Sequence, residues 1–191
     1  RGCDKFCPFC IVPFTRGRER SRSISSIVKE AKNILKSGYQ EITLLGQNVN
    51  SYKTPEGDFP ILLDKLGKIK SIKRIRYTSP HPRDIDEDLL KIMVKHDNIC
   101  NQIHLPLQAG SSRILKRMNR TYTKEEFLNL VDLIRKYIPD CGLSTDIIVG
   151  FPGETEEEFQ ETLEVVSKVK FDTAFMFKYS SRPGTKASHY T

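Results

Sequence analysis

Nowhere in its 191 residues does the sequence carry an apolar run long enough for a transmembrane helix, and no secretory signal opens it. The first absence excludes a helical membrane anchor within this stretch. The second says little, because a chain whose third residue already reads as a metal ligand is expected to have lost its natural N-terminus. Cysteines are scarce and odd in number, five in all. That excludes a disulfide scaffold and argues for a reducing, cytoplasmic setting. The length is short for two domains and sufficient for one with a sizeable core. With 38% hydrophobic and 29% charged residues, the composition is that of a soluble globular protein.

What is present is concentrated at the start. Cys3, Cys7 and Cys10 are separated by three and then two residues, in a loop short enough to turn three thiolates toward one ion or cluster. A closed zinc knuckle wants a fourth ligand, commonly from a second Cys/His pair. None follows: His81, Cys100, His104 and Cys141 are scattered singly. Three ligands for a four-coordinate centre leave one position open, as a working site requires.

Directly after this loop Arg16, Arg18, Arg20 and Arg22 alternate beside Phe14 and Thr15. On an extended segment four guanidinium groups could track phosphates, and the net charge of +7 favours a polyanionic partner. A solvated basic face is the plainer alternative. Lys116, Arg117 and Arg120 form a second basic cluster, either for RNA or as a solvated helix end.

Along the chain, helices are predicted at 25–38, where Ile27, Ala31, Ile34 and Leu35 share a face, and at 60–69, 84–95 and 111–118. Two more open on the capping boxes Thr123/Glu126 and Thr155/Glu158. Strands are predicted at 41–46, 74–78, 102–105, 144–149 and 174–179, with 47–57 as polar loop. Strand and helix alternate with a period of about 30 residues, so the sheet should be parallel with right-handed crossovers. Five strands are visible and a sixth is expected to run into Cys3 from upstream. The fold expected is an α/β incomplete (β/α)6 TIM-like barrel, its first strand truncated and one edge exposed. Ligands of parallel barrels meet the C-terminal strand ends. Those ends carry Gly46, Gln47, Asn48, Ser79, His81, His104, Pro106, Gln108, Asp146, Gly150, Lys178, Tyr179 and Ser180. Any one of them could be only a turn residue. His81 and His104 are possible proton carriers or satisfied structural histidines, and Cys100 and Cys141 read as buried structural thiols.

The cysteine loop, with the aromatic Phe9 beside Cys10, resembles that of the radical S-adenosylmethionine (radical SAM) enzymes. The continuation from Ile11 to Arg22 is similar to the methylthiotransferases among them, of the MiaB type that act on tRNA. The resemblance spans essentially the whole chain and implies a partial barrel with the cluster loop after its first strand. It implies that Cys3, Cys7 and Cys10 hold a 4Fe–4S cluster whose fourth iron takes the amino and carboxylate groups of S-adenosylmethionine. One electron would then release a 5′-deoxyadenosyl radical that abstracts hydrogen at C2 of an N6-(dimethylallyl)adenosine beside the anticodon, leaving a 2-methylthio group. Cofactor contacts implied are Phe9, Gly46, Gln47, Asn48, Ser79, His104, Asp146 and Gly150, with Arg16, Arg18, Arg20 and Arg22 for RNA. The short motif at Gly46 often ends in Glu in this family and here does not, so its role would rest on backbone oxygens.

In that family an N-terminal domain carries a second 4Fe–4S cluster and a C-terminal β-rich domain grips RNA. Residues 1–191 are expected to be the core domain alone, a monomer able to cleave the cofactor without completing sulfur transfer. Partners implied are tRNA and an electron donor such as flavodoxin or ferredoxin, with no membrane. The neighbouring alternative is a methylthiotransferase for another tRNA adenosine or for a ribosomal-protein aspartate. An alternative of another class is a non-enzymatic iron–sulfur carrier or metal-binding module, which would normally close its cluster with four cysteines.

Overall fold

A computed structural model describes all 191 residues. Five parallel strands form one curved wall: β1 (Glu41–Leu44), β2 (Arg74–Tyr77), β3 (Gln102–His104), β4 (Gly142–Val149) and β5 (Thr173–Lys178). β1 pairs with β2, and β3, β4 and β5 pair in that order. The two groups are joined just upstream of β3, where the Ile75 N–H donates to the Asn98 carbonyl at 2.7 Å and the Cys100 N–H to the Ile75 carbonyl at 3.0 Å. Beyond that join β2 and β3 diverge, and the outer edge of β1 has no partner. The expected alternation and open-edged partial barrel are what the structure has.

Helices pack on one side of this wall. Ser23 caps α2 (Ile24–Lys36) by accepting the Ser26 N–H, and Asp58 caps α3 (Phe59–Gly67) by accepting that of Ile61. After the short α5 (Ser112–Arg117), both predicted capping boxes form, opening α6 (Lys124–Tyr137) and α7 (Glu156–Val169). Leu62, Leu63 and Leu66 of α3, Leu89, Leu90 and Met93 of α4 (Glu87–Lys95), and Phe127, Val131 and Ile134 of α6 bury against Ile75, Ile103 and Leu143 of the wall. α2 buries only Ile24 and Ala31 fully. Its Ile27 and Ile34 line a slot of about 390 Å³ with Ile42, Leu44 and Leu66, beside the unpaired edge of β1. At the opposite edge, Phe175, Met176 and Phe177 of β5 are exposed by half or more.

Four local readings need correction. α4 starts at Glu87 rather than Asp84, because Pro82–Asp84 is a 3-10 turn and Asp86 supplies the cap. Residues 47–57 are not plain loop but a 3-10 turn, Val49–Ser51, and a two-residue hairpin, Lys53–Thr54 with Gly57–Asp58. The arginine run is not one extended segment. Pro13 starts a short helix α1 (Val12–Arg16), and Gly17 at φ +72° ends it. Of the two lone cysteines Cys141 is buried as expected, whereas Cys100 is only half-buried and faces the hollow side of the wall.

Candidate functional site

The cysteine loop is held by polar threads from several elements rather than by the core. Gly2, at φ +84°, must be glycine, since a Cβ there would stand 2.1 Å from the Arg18 carbonyl oxygen. Its N–H donates to Gln47 Oε1 at 2.6 Å, and the Cys3 N–H donates to the Gly17 carbonyl at 3.2 Å. Lys5 pairs with Asp84 at 2.8 Å, and Asp84 in turn accepts Asn48 Nδ2 at 3.0 Å. Asn119 Nδ2 donates to the Lys5 carbonyl at 2.9 Å, next to Phe6, which sits at φ +48°. Cys7 to Cys10 is a tight turn, closed by the Cys10 N–H on the Cys7 carbonyl at 2.9 Å. Phe9 anchors that turn, its ring meeting Phe151 edge-on at 6.3 Å.

Cys3, Cys7 and Cys10 are free thiols and half-buried. Burial pushes the Cys3 and Cys10 thiols up, and the neighbouring thiols of the same loop push in the same direction. No three His, Cys, Asp or Glu side chains close on one point as a chelate for a single ion. A cluster asks for something else, a separate thiolate for each of several irons from one short loop. Cys3, Cys7 and Cys10, three thiols on one loop with no fourth, are a donor set of that chemical kind.

At the strand ends, Ser79, His104 and Asp146 line one cavity of about 440 Å³, opened by the divergence of β2 from β3. Arg76, Gln102 and Phe175 also stand in its wall. His104 sits between Ser144 Oγ at 3.0 Å from Nδ1 and Asp146 Oδ2 at 3.2 Å from Nε2. Ser79 is exposed at φ +56°, a strained conformation for a residue with a side chain, and its carbonyl accepts the Val49 N–H. Gly46 precedes Gln47 and Asn48, whose side chains are taken up by Gly2 and Asp84. Asn48 Oδ1 is buried without a partner. Gly150, at φ +70°, opens the turn after β4, where Glu154 Oε2 accepts the N–H groups of Gly150 at 2.5 Å and Phe151 at 3.2 Å. Burial pushes the Glu154 carboxyl up.

His81 is no proton carrier. Burial, reinforced by the nearby Arg120 charge, drives its pKa down to about 3, so the ring stays neutral and its Nδ1 accepts the Arg83 N–H. The two basic clusters also read differently in three dimensions. Arg18 pairs with Asp4 at 2.8 Å and Arg22 with Glu30 at 2.5 Å, which leaves Arg16 and Arg20 without carboxylate partners on the exposed rim. Arg117 is committed within the fold: its Nε donates to the Pro152 carbonyl at 2.9 Å. Arg113, absent from the sequence reading, grips the same turn through the Gly153 carbonyl and is fixed by Glu158. The Arg113–Glu158 partnership holds the Glu158 carboxyl down at about 2. Asp84, Asn119 and Arg113 carried no motif signal. Only their contacts, made across dozens of residues of chain, reveal them.

The Radical SAM superfamily profile matches residues 1–166. The chain is 56% identical over 189 residues to the tRNA-2-methylthio-N(6)-dimethylallyladenosine synthase of Clostridium tetani, covering 97% of this chain and 42% of that protein. It is 54% identical over 194 residues to the synthase of the same name from Parabacteroides distasonis, covering 100% of this chain and 42% of that protein. It thus spans about two-fifths of the length of these curated relatives. Among solved structures it is similar to the radical S-adenosylmethionine methyltransferase TsrM of Kitasatospora setae, with cobalamin and a [4Fe-4S] cluster bound. The TM-score is 0.79 at 18% identity, over 97% of this chain and 37% of that one. Methylornithine synthase (PylB) matches with a TM-score of 0.66 at 16% identity, over 99% of this chain and 54% of that one. At these identities the likeness is one of fold.

Proposed function

The chain belongs to the radical SAM superfamily, and from that premise we propose that it is the catalytic core of a tRNA methylthiotransferase. Its substrate in this reading is the C2 position of N6-(dimethylallyl)adenosine beside the anticodon. The observation that carries the reading is identity above one-half, across nearly the whole chain, to relatives bearing that one activity in their names. Cys3, Cys7 and Cys10 would hold a 4Fe–4S cluster, leaving one iron for S-adenosylmethionine. When bound, cluster and cofactor together supply the 5′-deoxyadenosyl radical, the hard part of the chemistry.

The chain's own residues bind, orient and shield. Gly46–Asn48, Ser79, His104, Asp146 and Gly150 face the cofactor in this assignment, with Phe9 packing the loop against Phe151 behind it. The hollow between β2 and β3 receives the cofactor's polar parts, where His104 and Asp146 are held in mutual contact. Arg16 and Arg20, free of carboxylates, meet tRNA phosphates at the rim. A second 4Fe–4S cluster, an RNA-gripping domain and a low-potential electron donor such as flavodoxin or ferredoxin complete the reaction outside these residues, in the cytoplasm. A simple electron carrier is the weaker reading. It would need a fourth thiolate, and neither Cys100 nor Cys141 stands with the loop.

The test is anaerobic reconstitution with iron and sulfide, reduction, and addition of S-adenosylmethionine. The protein should yield 5′-deoxyadenosine over a no-protein control, and Cys7→Ala should lose both cluster absorbance and product. A loaded, reducible cluster that yields no 5′-deoxyadenosine would overturn the assignment. In the full-length protein, a mass gain on tRNA limited to the dimethylallyladenosine separates this substrate from other adenosines.

A further inference from the structure

Arg120 is a part-buried guanidinium with no carboxylate to balance it. Its Nε donates to the Tyr122 hydroxyl at 2.9 Å and its Nη2 to the Pro106 carbonyl at 3.4 Å. Its carbon Cζ lies 5.2 Å from the centre of the Tyr122 ring. The third arm, Nη1, reaches Cys7 Sγ at 3.7 Å. Tyr122 is itself fixed, its hydroxyl donating to the Pro106 and Leu107 carbonyls. Lys5, a cation of the loop itself, is already neutralised by Asp84 at 2.8 Å. A cation out of water is costly unless an anion faces it. Burial pushes the Tyr122 hydroxyl up, so that it stays neutral, and Cys7, as a thiolate ligand, is the partner of Arg120 that brings negative charge.

We propose that Arg120 is a positioning residue whose charge and N–H···S hydrogen bond set the reduction potential of the cluster held by Cys7. The proposal rests on the cluster assignment above. Hydrogen bonds to ligand sulfurs and nearby charge are the protein's means of tuning iron–sulfur potentials. Reduction adds one electron to the cluster, and a fixed cation beside a ligand sulfur stabilises the added charge. Arg120 therefore raises the potential and eases electron entry from the donor. The same segment ties both halves of the site together, since Asn119 holds the Lys5 carbonyl while Arg113 and Arg117 hold Gly153 and Pro152.

The experiment is an anaerobic redox titration of the cluster-loaded protein, followed by the electron paramagnetic resonance signal of the reduced cluster. Arg120→Gln, at wild-type iron content, should lower the reduction equilibrium constant at least tenfold, which is about 59 mV more negative for a one-electron couple. Arg120→Lys should recover most of that loss. Tyr122→Phe, which frees the guanidinium without removing its charge, should move the potential the same way by less. Unchanged potentials in Arg120→Gln overturn the inference, as would a negative shift in Arg120→Lys as large as in Arg120→Gln. If Arg120→Gln fails to load, Tyr122→Phe decides, and an unshifted potential there is equally fatal. A wild type that never loads a cluster refutes the parent assignment instead.

Discussion

The two faces of the five-stranded wall are built on opposite principles. On the helix side Ile75, Ile103 and Leu143 are almost wholly buried under α3, α4 and α6. On the hollow side the same strands present Arg76, Gln102, His104 and Asp146, lining a cavity open to solvent. Near the base of the hollow, Glu41 takes Arg74 at 2.5 Å and Arg76 at 2.9 Å, and Arg76 reaches Gln102 at 2.6 Å. Because side chains alternate across a strand, neighbours one residue apart answer to different demands. The apolar face supplies most of the folding free energy. The polar face gives up burial to keep donors and acceptors available.

The adjacent pair Ile103 and His104 offers the sharpest way to break this contrast. Ile103→Ala should cost about 2–4 kcal/mol of unfolding free energy, read by chemical denaturation, and weaken the site only through the fold. His104→Ala should cost under about 1 kcal/mol of stability, yet weaken S-adenosylmethionine binding by about tenfold or more, read by calorimetry on the loaded protein. If the two losses exchange places, the division of labour between faces is wrong.

A smaller effect sharpens the contrast at the turn after β4. Arg113 holds Glu158 ionised down to about 2 when folded, against an ordinary value of 4.5. Between those values the unfolded chain binds the extra proton, so stability falls as pH falls and this contribution is gone below about 2. Thermal melts of the wild type from pH 5 to 2 should therefore drop more steeply than those of Glu158→Gln. Equal slopes would show that the ion pair does not form in solution.

The smallest expected effect is at the rim. Arg16→Ala should weaken tRNA binding and reduce the salt slope by about 1. Arg22→Ala should do less, because Glu30 already compensates that charge. Equal losses would restore the picture of one continuous basic ladder.

The cysteine spacing and both capping boxes were legible in the sequence because each is complete within about a dozen residues, and the βα alternation because it recurs along the chain at about 30 residues. The same holds for the strand-end candidates, of which Ser79, His104 and Asp146 do share a cavity. Legibility failed where a side chain's partner is remote. Arg117 and Arg120 read either as RNA contacts or as a solvated helix end, and only folding turns one onto Pro152 and the other onto Cys7. Lys5 and Asp84, and likewise Asn119 and the Lys5 carbonyl, are pairs no periodicity could announce.

By itself the sequence determined the class of fold, the gathering of three cysteines in one short loop and the order of the elements, since these follow from spacing and from hydrophobic period. Only the tertiary structure decided which charges are spent on neighbours and which remain free. Ion pairs and hydrogen bonds act over a few ångströms of space and are indifferent to distance along the chain, so they exist only after the wall has curved and brought its loops together.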